Sequence, residues 1–230
     1  MVNLNMNLVR VVRMLKGRDL FIFPDLKIHT ITLGNKGADW TFADEELNQD
    51  SIVYSIGIGT DISFDLELIR KFNLKIFAFD PTEKSISWLK EQTLPENFHY
   101  FKIGLADYDG KASLFPPDNS NHISHTLLNS QYQNKDSYEI EVSTLKTLMK
   151  SNNHTKIDLL KMDVEGVEYG VLENILESGV EVKQLLVEFH HRFKNIGLDK
   201  TRKAVRKLKK SGYRLFSVSA MGEEYSFLKS

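Results

Sequence analysis

The sequence predicts an α/β domain built around a mainly parallel sheet. Short apolar runs rich in β-branched and aromatic residues recur at 52–56, 75–79 and 98–103, with helical periodicity between them at 62–72 and 82–91. Strands that alternate with helical stretches of about ten residues are typical of βαβ units. The length of 230 residues suits one large domain with a substantial core rather than two domains.

Composition narrows the classes of function. The chain has 30 basic and 31 acidic residues, so its net charge gives no case for a nucleic acid or a membrane as partner. With no cysteine, the chain has no disulfide, thiolate metal site or cysteine nucleophile. No apolar run approaches the roughly 20 residues that a membrane span needs. We expect a cytoplasmic protein, and a homodimer is compatible with the sequence.

The N-terminal segment predicts an amphipathic helix. Leu8, Val12 and Leu15 recur at helical spacing among basic residues. Because the apolar stripe is short and ordinary, we expect it to pack on the core rather than lie on a membrane surface. We therefore divide the chain into a helix and extension at 1–50 and a main domain at 51–230.

A glycine turn follows the first strand of the main domain. Gly57 and Gly59 separate the strand 52–56 from a helical pattern that begins at Ser63. Glycines at such a junction let backbone N–H groups approach a ligand closely, which predicts a nucleotide-like cofactor at the carboxyl end of this strand. Ile62 stands where a dinucleotide fingerprint has its third glycine, so a simple tight turn is the alternative.

The next two strands supply further candidates for cofactor binding. Asp80 ends the second strand, where such folds place an acid on the ribose hydroxyls; a helix cap is the alternative. Ala106 and Asp107 follow the third strand, near the expected position of a cofactor base. Asp109-Gly110 is flanked by strand-like residues and predicts a hairpin turn.

Aromatic and imidazole side chains indicate the substrate side. Trp40 precedes the central motif and is expected either in the core or as one wall of the pocket. The connection 116–137 is long and lacks clear periodicity, which is uncommon unless the segment is disordered or functional. His122 and His125 favour a substrate-facing lid.

Acidic residues gather at the ends of two later strands. Asp163 and Glu165 follow the strand that begins near residue 157, and Glu188 and His190 end the next strand. Since parallel strands end at one edge of a sheet, we expect these four side chains to meet. A histidine beside carboxylates is suited to accept a proton. The same groups are also able to hold a divalent metal, but their spacing matches no dedicated metal motif, and we predict no metal.

The C-terminal part predicts a basic helix and a closing hairpin. Many Lys and Arg residues lie in 200–210, most simply on a solvated helix face. Two strand-like segments, 212–218 and 224–228, flank Met221-Gly222.

These motifs resemble a known family. The runs Ile157–Glu168 (IDLLKMDVEGVE) and Tyr54–Phe64 (YSIGIGTDISF), the acid at Asp80 and the later Val-Glu-Phe-His are similar to the FkbM-type methyltransferases, which use S-adenosylmethionine. The loop Asn121–His125 (NHISH) resembles one subgroup of methyltransferase-like proteins. The resemblance covers about residues 35–228.

The resemblance implies a class I methyltransferase fold, a Rossmann-like three-layer sandwich with a mostly parallel seven-stranded sheet and an antiparallel last strand. It implies O-methylation of a hydroxyl on a sugar or another small natural-product-like acceptor. The cofactor contacts that we expect are Tyr54, Gly57, Gly59, Asp61, Asp80, Ala106, Asp107 and Asp163. The substrate contacts that we expect are Trp40, His122, His125, Glu165 and Glu188. We hypothesise that His190 is the catalytic base and that Asp163 orients the substrate or shares this role.

Two departures keep other functions open. Ser55 stands where typical methyltransferases carry an acid, and Asp61 replaces a further glycine, so Asp61 is expected to take over part of the contact to the methionine amine. A non-catalytic binding or scaffold protein with this fold is one alternative. A nicotinamide-dependent oxidoreductase is the other, although the absent third glycine argues against it.

Overall fold

The computed structural model describes residues 8–114, 137–193 and 195–230. The strands in chain order are β1 Ile31–Leu33, β2 Trp40–Phe42, β3 Ile52–Ile56, β4 Lys75–Phe79, β5 Phe98–Phe101, β6 Gly104–Leu105, β7 Gly110–Leu114, β8 Tyr138–Ser143, β9 Lys156–Met162, β10 Glu181–Glu188, β11 Tyr213–Val218 and β12 Glu224–Lys229. The α-helices are α1 Leu8–Leu15, α2 Ser63–Phe72, α3 Glu83–Leu89, α4 Leu145–Ser151, α5 Glu168–Ser178 and α6 Leu198–Lys210.

Seven strands form the central sheet, in the spatial order β11-β12-β10-β9-β3-β4-β5. Neighbouring strands from β10 to β5 are parallel, whereas β12 is antiparallel to both of its neighbours. The predicted seven-stranded sheet with an antiparallel last strand is therefore confirmed, as is the closing hairpin.

Alternating side chains of the strands cover the two faces of the sheet. Tyr54 and Ile56 of β3 belong to a buried cluster that includes residues of α4, α5 and α6. Val53, which precedes them in the same strand, belongs to a second cluster with residues of α2, α3 and β2. Because strand side chains alternate with a period of two, each face receives its own layer of helices. The result is the three-layer arrangement that the resemblance implies.

The parallel strands end at the same level. In the strand register Ile56 pairs with Phe79 and with Met162, and Met162 pairs with Val187. The residues that follow these positions consequently lie side by side at one edge of the sheet. In open α/β sheets, ligands bind at this edge.

A small second sheet corrects one local prediction. The strands β6 and β7 flank β8 on its two sides, in the order β6-β8-β7. The chain does turn at Asp109-Gly110, but the strands on either side of the turn do not pair with each other. The Asp109 carboxylate instead accepts hydrogen bonds from the backbone N–H of Thr144 (2.8 Å) and the hydroxyl of Thr147 (2.8 Å), at the start of α4.

The N-terminal helix packs through a different face from the predicted one. Leu8 and Leu15 are 76% and 80% exposed, whereas Arg10 and Met14 are buried. Arg10 donates a hydrogen bond to the carbonyl oxygen of Ile22. The helix therefore packs on the core, as expected, but through Arg10 and Met14 and not through the predicted stripe that includes Leu8 and Leu15. In the described parts of the chain, no helix has the length and apolarity that crossing a membrane requires.

Candidate active site

A cavity of about 390 Å³ lies at the carboxyl edge of the central sheet. Its floor and walls include the residues that follow β3, β4 and β9, namely Gly57, Asp80 and Asp163. This volume lies within the range of roughly 300–1,000 Å³ that is usual for small-molecule and cofactor pockets.

The backbone at Gly57 brings two walls of the cavity together. Gly57 has φ of +70°, and a Cβ atom added there would lie 1.8 Å from the carbonyl oxygen of Asp163. The N–H of Asp163 donates to the carbonyl oxygen of Ile56 (3.1 Å), and the N–H of Gly57 donates to that of Phe79 (2.9 Å). Because a side chain would force these segments apart, only glycine fits at this position.

Asp80 connects the glycine turn to the end of β4. One carboxylate oxygen accepts a hydrogen bond from the N–H of Gly59 (3.0 Å), and the other accepts from the N–H (2.9 Å) and hydroxyl (2.7 Å) of Thr82. Asp80 thus serves as the turn residue before α3 and also lines the cavity. Each carboxylate oxygen has two lone-pair directions, so further hydroxyl groups have room to bind at the Gly59-facing oxygen.

Asp61 lines the same cavity at the start of α2. Its carboxylate accepts hydrogen bonds from the N–H of Ser63 (2.8 Å) and the side-chain amide of Asn35 (3.0 Å). Burial opposes ionisation, but the hydrogen bonds from Ser63 and Asn35 outweigh it and keep the pKa of Asp61 below its usual value. Asp61 therefore presents a negative charge to the cavity.

Four carboxylates surround His190 beside the cavity. The Nε2 atom of His190 lies 3.2 Å from Glu165, 3.5 Å from Asp163 and 3.9 Å from Glu188. Its Nδ1 atom lies 3.5 Å from Glu168, a fully buried residue whose carboxylate accepts from the N–H groups of Gly166 (2.8 Å) and His190 (2.8 Å). The predicted meeting of acids from two strand ends is confirmed, with Glu168 added from α5.

The carboxylates of this cluster shift the pKa values of His190 and Glu188. Burial lowers the pKa of His190, but the nearby carboxylates of Glu168, Asp163 and Glu165 outweigh burial and raise the pKa to about 10. Burial and the Asp163 charge raise the pKa of Glu188 well above its usual range. A raised pKa means that the imidazole holds its proton at neutral pH, which disfavours His190 as the base. Asp163, Glu165 and Glu188 line the cavity, and His190 lies buried behind them.

Comparison with known proteins assigns the family. Residues 42–215 match the sequence profile described as the Methyltransferase FkbM domain, which is more than half of the chain. The protein belongs to the FkbM methyltransferase family. The FkbM resemblance of the motifs is thereby confirmed.

Individual curated relatives share about a quarter of their residues with this chain over the matched region. The chain is 26% identical over 155 residues to the human "Probable methyltransferase-like protein 24", a match that covers 66% of this chain and 36% of the relative. It is 25% identical over 150 residues to the "Hexuronic acid methyltransferase AglP" of Haloferax volcanii, covering 64% of this chain and 59% of the relative. The matches thus span only about a third to three fifths of these relatives. A solved precorrin-6y C5,15-methyltransferase from Geobacter metallireducens aligns with 80% of this chain and 82% of its own, at 13% identity and a TM-score of 0.44.

Several residues predicted from the sequence lie away from the cavity of this FkbM domain. Among the described residues, Tyr54, Ala106 and Asp107 are absent from the lining. The Tyr54 hydroxyl is 3.0 Å from Nδ1 of His154, on the α4 side of the sheet, and the Asp107 carbonyl oxygen accepts from Asn174 of α5. In the structure, these residues hold packing positions and do not line the cavity. The predicted substrate contacts His122 and His125 lie outside the described residues.

Two charged residues that were not among the predicted contacts also line the cavity, namely Lys161 and Asp65. The amine of Lys161 donates to the carbonyl oxygens of Gly57 (2.5 Å) and Ile56 (3.3 Å) and lies 5.6 Å from the centre of the Trp40 ring. Trp40 is therefore both buried and a wall of the cavity. Asp65 is buried near Lys161, which favours its charged form. A lysine between Leu160 and Met162 in a buried strand is the sequence signal that indicates this position.

We expect Asp65→Asn to stabilise the protein at neutral pH. Burial raises the pKa of Asp65 to about 6 despite the opposing charge of Lys161. The folded state therefore binds more protons than the unfolded state, whose aspartates titrate at about pH 3.9, and stability falls by about 3 kcal/mol as the pH rises through this window. An amide at this position does not titrate, so the unfolding free energy of Asp65→Asn, measured with denaturant between pH 4 and pH 7, should lose this decline. The exposed Asp199→Asn variant should keep it; an unchanged slope in Asp65→Asn would contradict the assignment.

Proposed function

We propose that the protein transfers a methyl group from S-adenosylmethionine to a hydroxyl oxygen of a sugar or a similar polyhydroxylated acceptor. The observation that carries this proposal is one cavity that joins the glycine turn and Asp80 on one side to the carboxylates of Asp163 and Glu165 on the other. Membership of the FkbM methyltransferase family supports the reaction class. A relative whose name specifies a hexuronic acid methyltransferase supports a sugar acceptor.

The residues at the glycine turn fit this cofactor. Gly57 and Gly59 keep side chains away from the backbone at the cavity floor, and Asp80 has acceptor capacity left for ribose hydroxyls. Asp61 offers a negative charge for the amine of the methionine part. When bound, S-adenosylmethionine supplies an electrophilic methyl group on a positively charged sulfur.

The acidic side of the cavity suits the acceptor. The carboxylates of Asp163 and Glu165 accept hydrogen bonds from hydroxyl groups and so orient an acceptor oxygen. As the oxygen–carbon bond forms, the methyl group would leave the sulfur, and the carboxylate of Asp163 or Glu165 would accept the hydroxyl proton. His190, held by Glu168, keeps the carboxylates in place from behind. Asp163 is therefore assigned to orient the acceptor, as hypothesised, and His190 to position the cluster.

Calorimetric titration with S-adenosylmethionine and S-adenosylhomocysteine tests the proposal. We expect micromolar binding, about −8 kcal/mol, by the wild-type protein. Asp80→Asn removes the charge on the ribose side and should weaken binding at least tenfold. Asp107→Asn, whose residue lies off the cavity, should leave binding unchanged.

A negative result has a clear meaning. If the folded wild-type protein binds neither ligand, the methyltransferase assignment fails for this chain, and NADH binding then separates an oxidoreductase from a non-catalytic binding protein. If binding occurs, a screen of saccharide hydroxyls for transfer of a labelled methyl group identifies the acceptor.

A further inference from the structure

Contrary to the prediction of no metal from the sequence, we propose that Asp163, Glu165 and His190 form a binding site for one divalent cation of the Mn²⁺ class. One atom from each of these residues lies within 4.8 Å of the other two. The proposal concerns binding and stands independently of the methyl-transfer reaction. Its catalytic consequence rests on the proposed function.

The spacing of the three groups suits a single ion. Nε2 of His190 is 3.2 Å from Oε2 of Glu165 and 3.5 Å from Oδ1 of Asp163. Ligands held about 2.1–2.3 Å from an ion at neighbouring positions are themselves about 3–3.5 Å apart. One imidazole with two carboxylates, and open positions for water or substrate, is a ligand set that Mn²⁺ accepts, whereas Mg²⁺ prefers oxygen alone.

A carboxylate lies behind the histidine, 3.5 Å from its Nδ1 atom. The side chain of His190 is only 7% exposed, and its Nε2 atom points into the carboxylates. Its other ring nitrogen faces the fully buried Glu168, which two backbone N–H groups hold in place. A carboxylate behind a histidine orients the ring and increases its basicity as a ligand.

The carboxylates also show features of ligands. In the described part of the chain, Oδ1 of Asp163 is buried and accepts no hydrogen bond. Asp163, Glu165 and Glu168 place three carboxylates around the single imidazole of His190. A divalent cation compensates this excess of negative charge.

The position of the site gives the ion a role. Asp163 and Glu165 line the cavity, so an ion between them and His190 keeps coordination positions on the cavity side. A hydroxyl group bound there loses its proton more readily, because the cation stabilises the oxyanion. The ion takes the place of the proton on Nε2 of His190, since an imidazole ligand binds a metal in its neutral form.

Titration of the metal-free protein with Mn²⁺, followed by electron paramagnetic resonance, tests the site. We expect one Mn²⁺ per chain with micromolar affinity, and a nitrogen coupling in the spin-echo spectrum that His190→Gln abolishes. Asp163→Asn and Glu165→Gln should each weaken binding at least tenfold. Asp199→Asn, on the exposed start of α6, should change nothing.

Two results would overturn the proposal. One is the absence of saturable Mn²⁺ binding to wild-type protein whose circular dichroism shows it folded. The other is binding that Asp163→Asn and Glu165→Gln, both folded, leave unchanged. Cofactor calorimetry without added metal tests the proposed function separately, so Mn²⁺ binding without cofactor binding would reject the methyltransferase proposal and keep the cation site.

Discussion

Gly57→Ala should destabilise the protein by about 4 kcal/mol and abolish cofactor binding in whatever fraction remains folded. The new Cβ would lie 1.8 Å from the backbone oxygen of Asp163, and residue 57 has φ of +70°. A backbone oxygen does not move aside as a flexible side chain does, so the ends of β3 and β9 must separate. Denaturant unfolding measures the loss of stability, and calorimetry measures cofactor binding.

Gly179→Ala is the matched control. Gly179 follows α5 with φ of +68°, and a Cβ there would meet no atom within 4 Å. This variant therefore carries only the cost of a left-handed alanine, about 1 kcal/mol. Equal destabilisation by the two substitutions would show that backbone strain, and not the contact between the strand ends, makes glycine necessary at position 57.

The elements that could be predicted from the sequence are those set by local patterns. Strand and helix periodicity placed β3, α2 and β4 within one residue of their observed bounds. The meeting of Asp163 with Glu188 and His190 followed from a general property, that parallel strands end at one edge. The hairpin at Asp109-Gly110 failed because β8, a segment far along the chain, pairs with the strands on both sides of the turn.

Position along the strand explains the error at Tyr54 on the cofactor side. Tyr54 lies in the motif next to Gly57, but its side chain points to the α4 face of the sheet, where it is fully buried. Ile56, two positions later on the same face, lines the cavity because it ends the strand, and a motif written as a run of letters does not separate these two positions. The distance of a residue from the end of its strand was therefore the missing information.

The raised pKa of His190 depends on contacts that the sequence does not show. Its neighbours include Glu168, which reads in the sequence as an acid at the start of a helix. Capping alone does not require so many acids in this segment, but the sequence does not show which atoms Glu168 contacts. Only the packing of α5 against the end of β10 turns it into a buried carboxylate behind the histidine, and this contact contributes to raising the pKa of His190.

Glu168→Gln should destabilise the protein by about 3 kcal/mol. The Glu168 carboxylate is fully buried and accepts one hydrogen bond at each oxygen, from Gly166 and from His190, at 2.8 Å each. Glutamine replaces one acceptor oxygen with an NH₂ group, so a buried N–H donor loses its partner and meets another donor. The charge that faces the His190 ring is lost as well, which adds to the cost.

Glu173→Gln is the matched control, because it removes the charge of an exposed glutamate on the same helix. Glu173 is exposed and pairs with Lys207 across the surface, so its substitution should cost less than about 0.5 kcal/mol. Denaturant unfolding of both variants gives the comparison. Because Glu168 also holds the backbone beside Glu165, Glu168→Gln should weaken Mn²⁺ binding while Glu173→Gln leaves it intact. A Glu168→Gln variant as stable as the wild type would mean that the two backbone N–H groups find other acceptors, and that Glu168 does not hold the acidic cluster together.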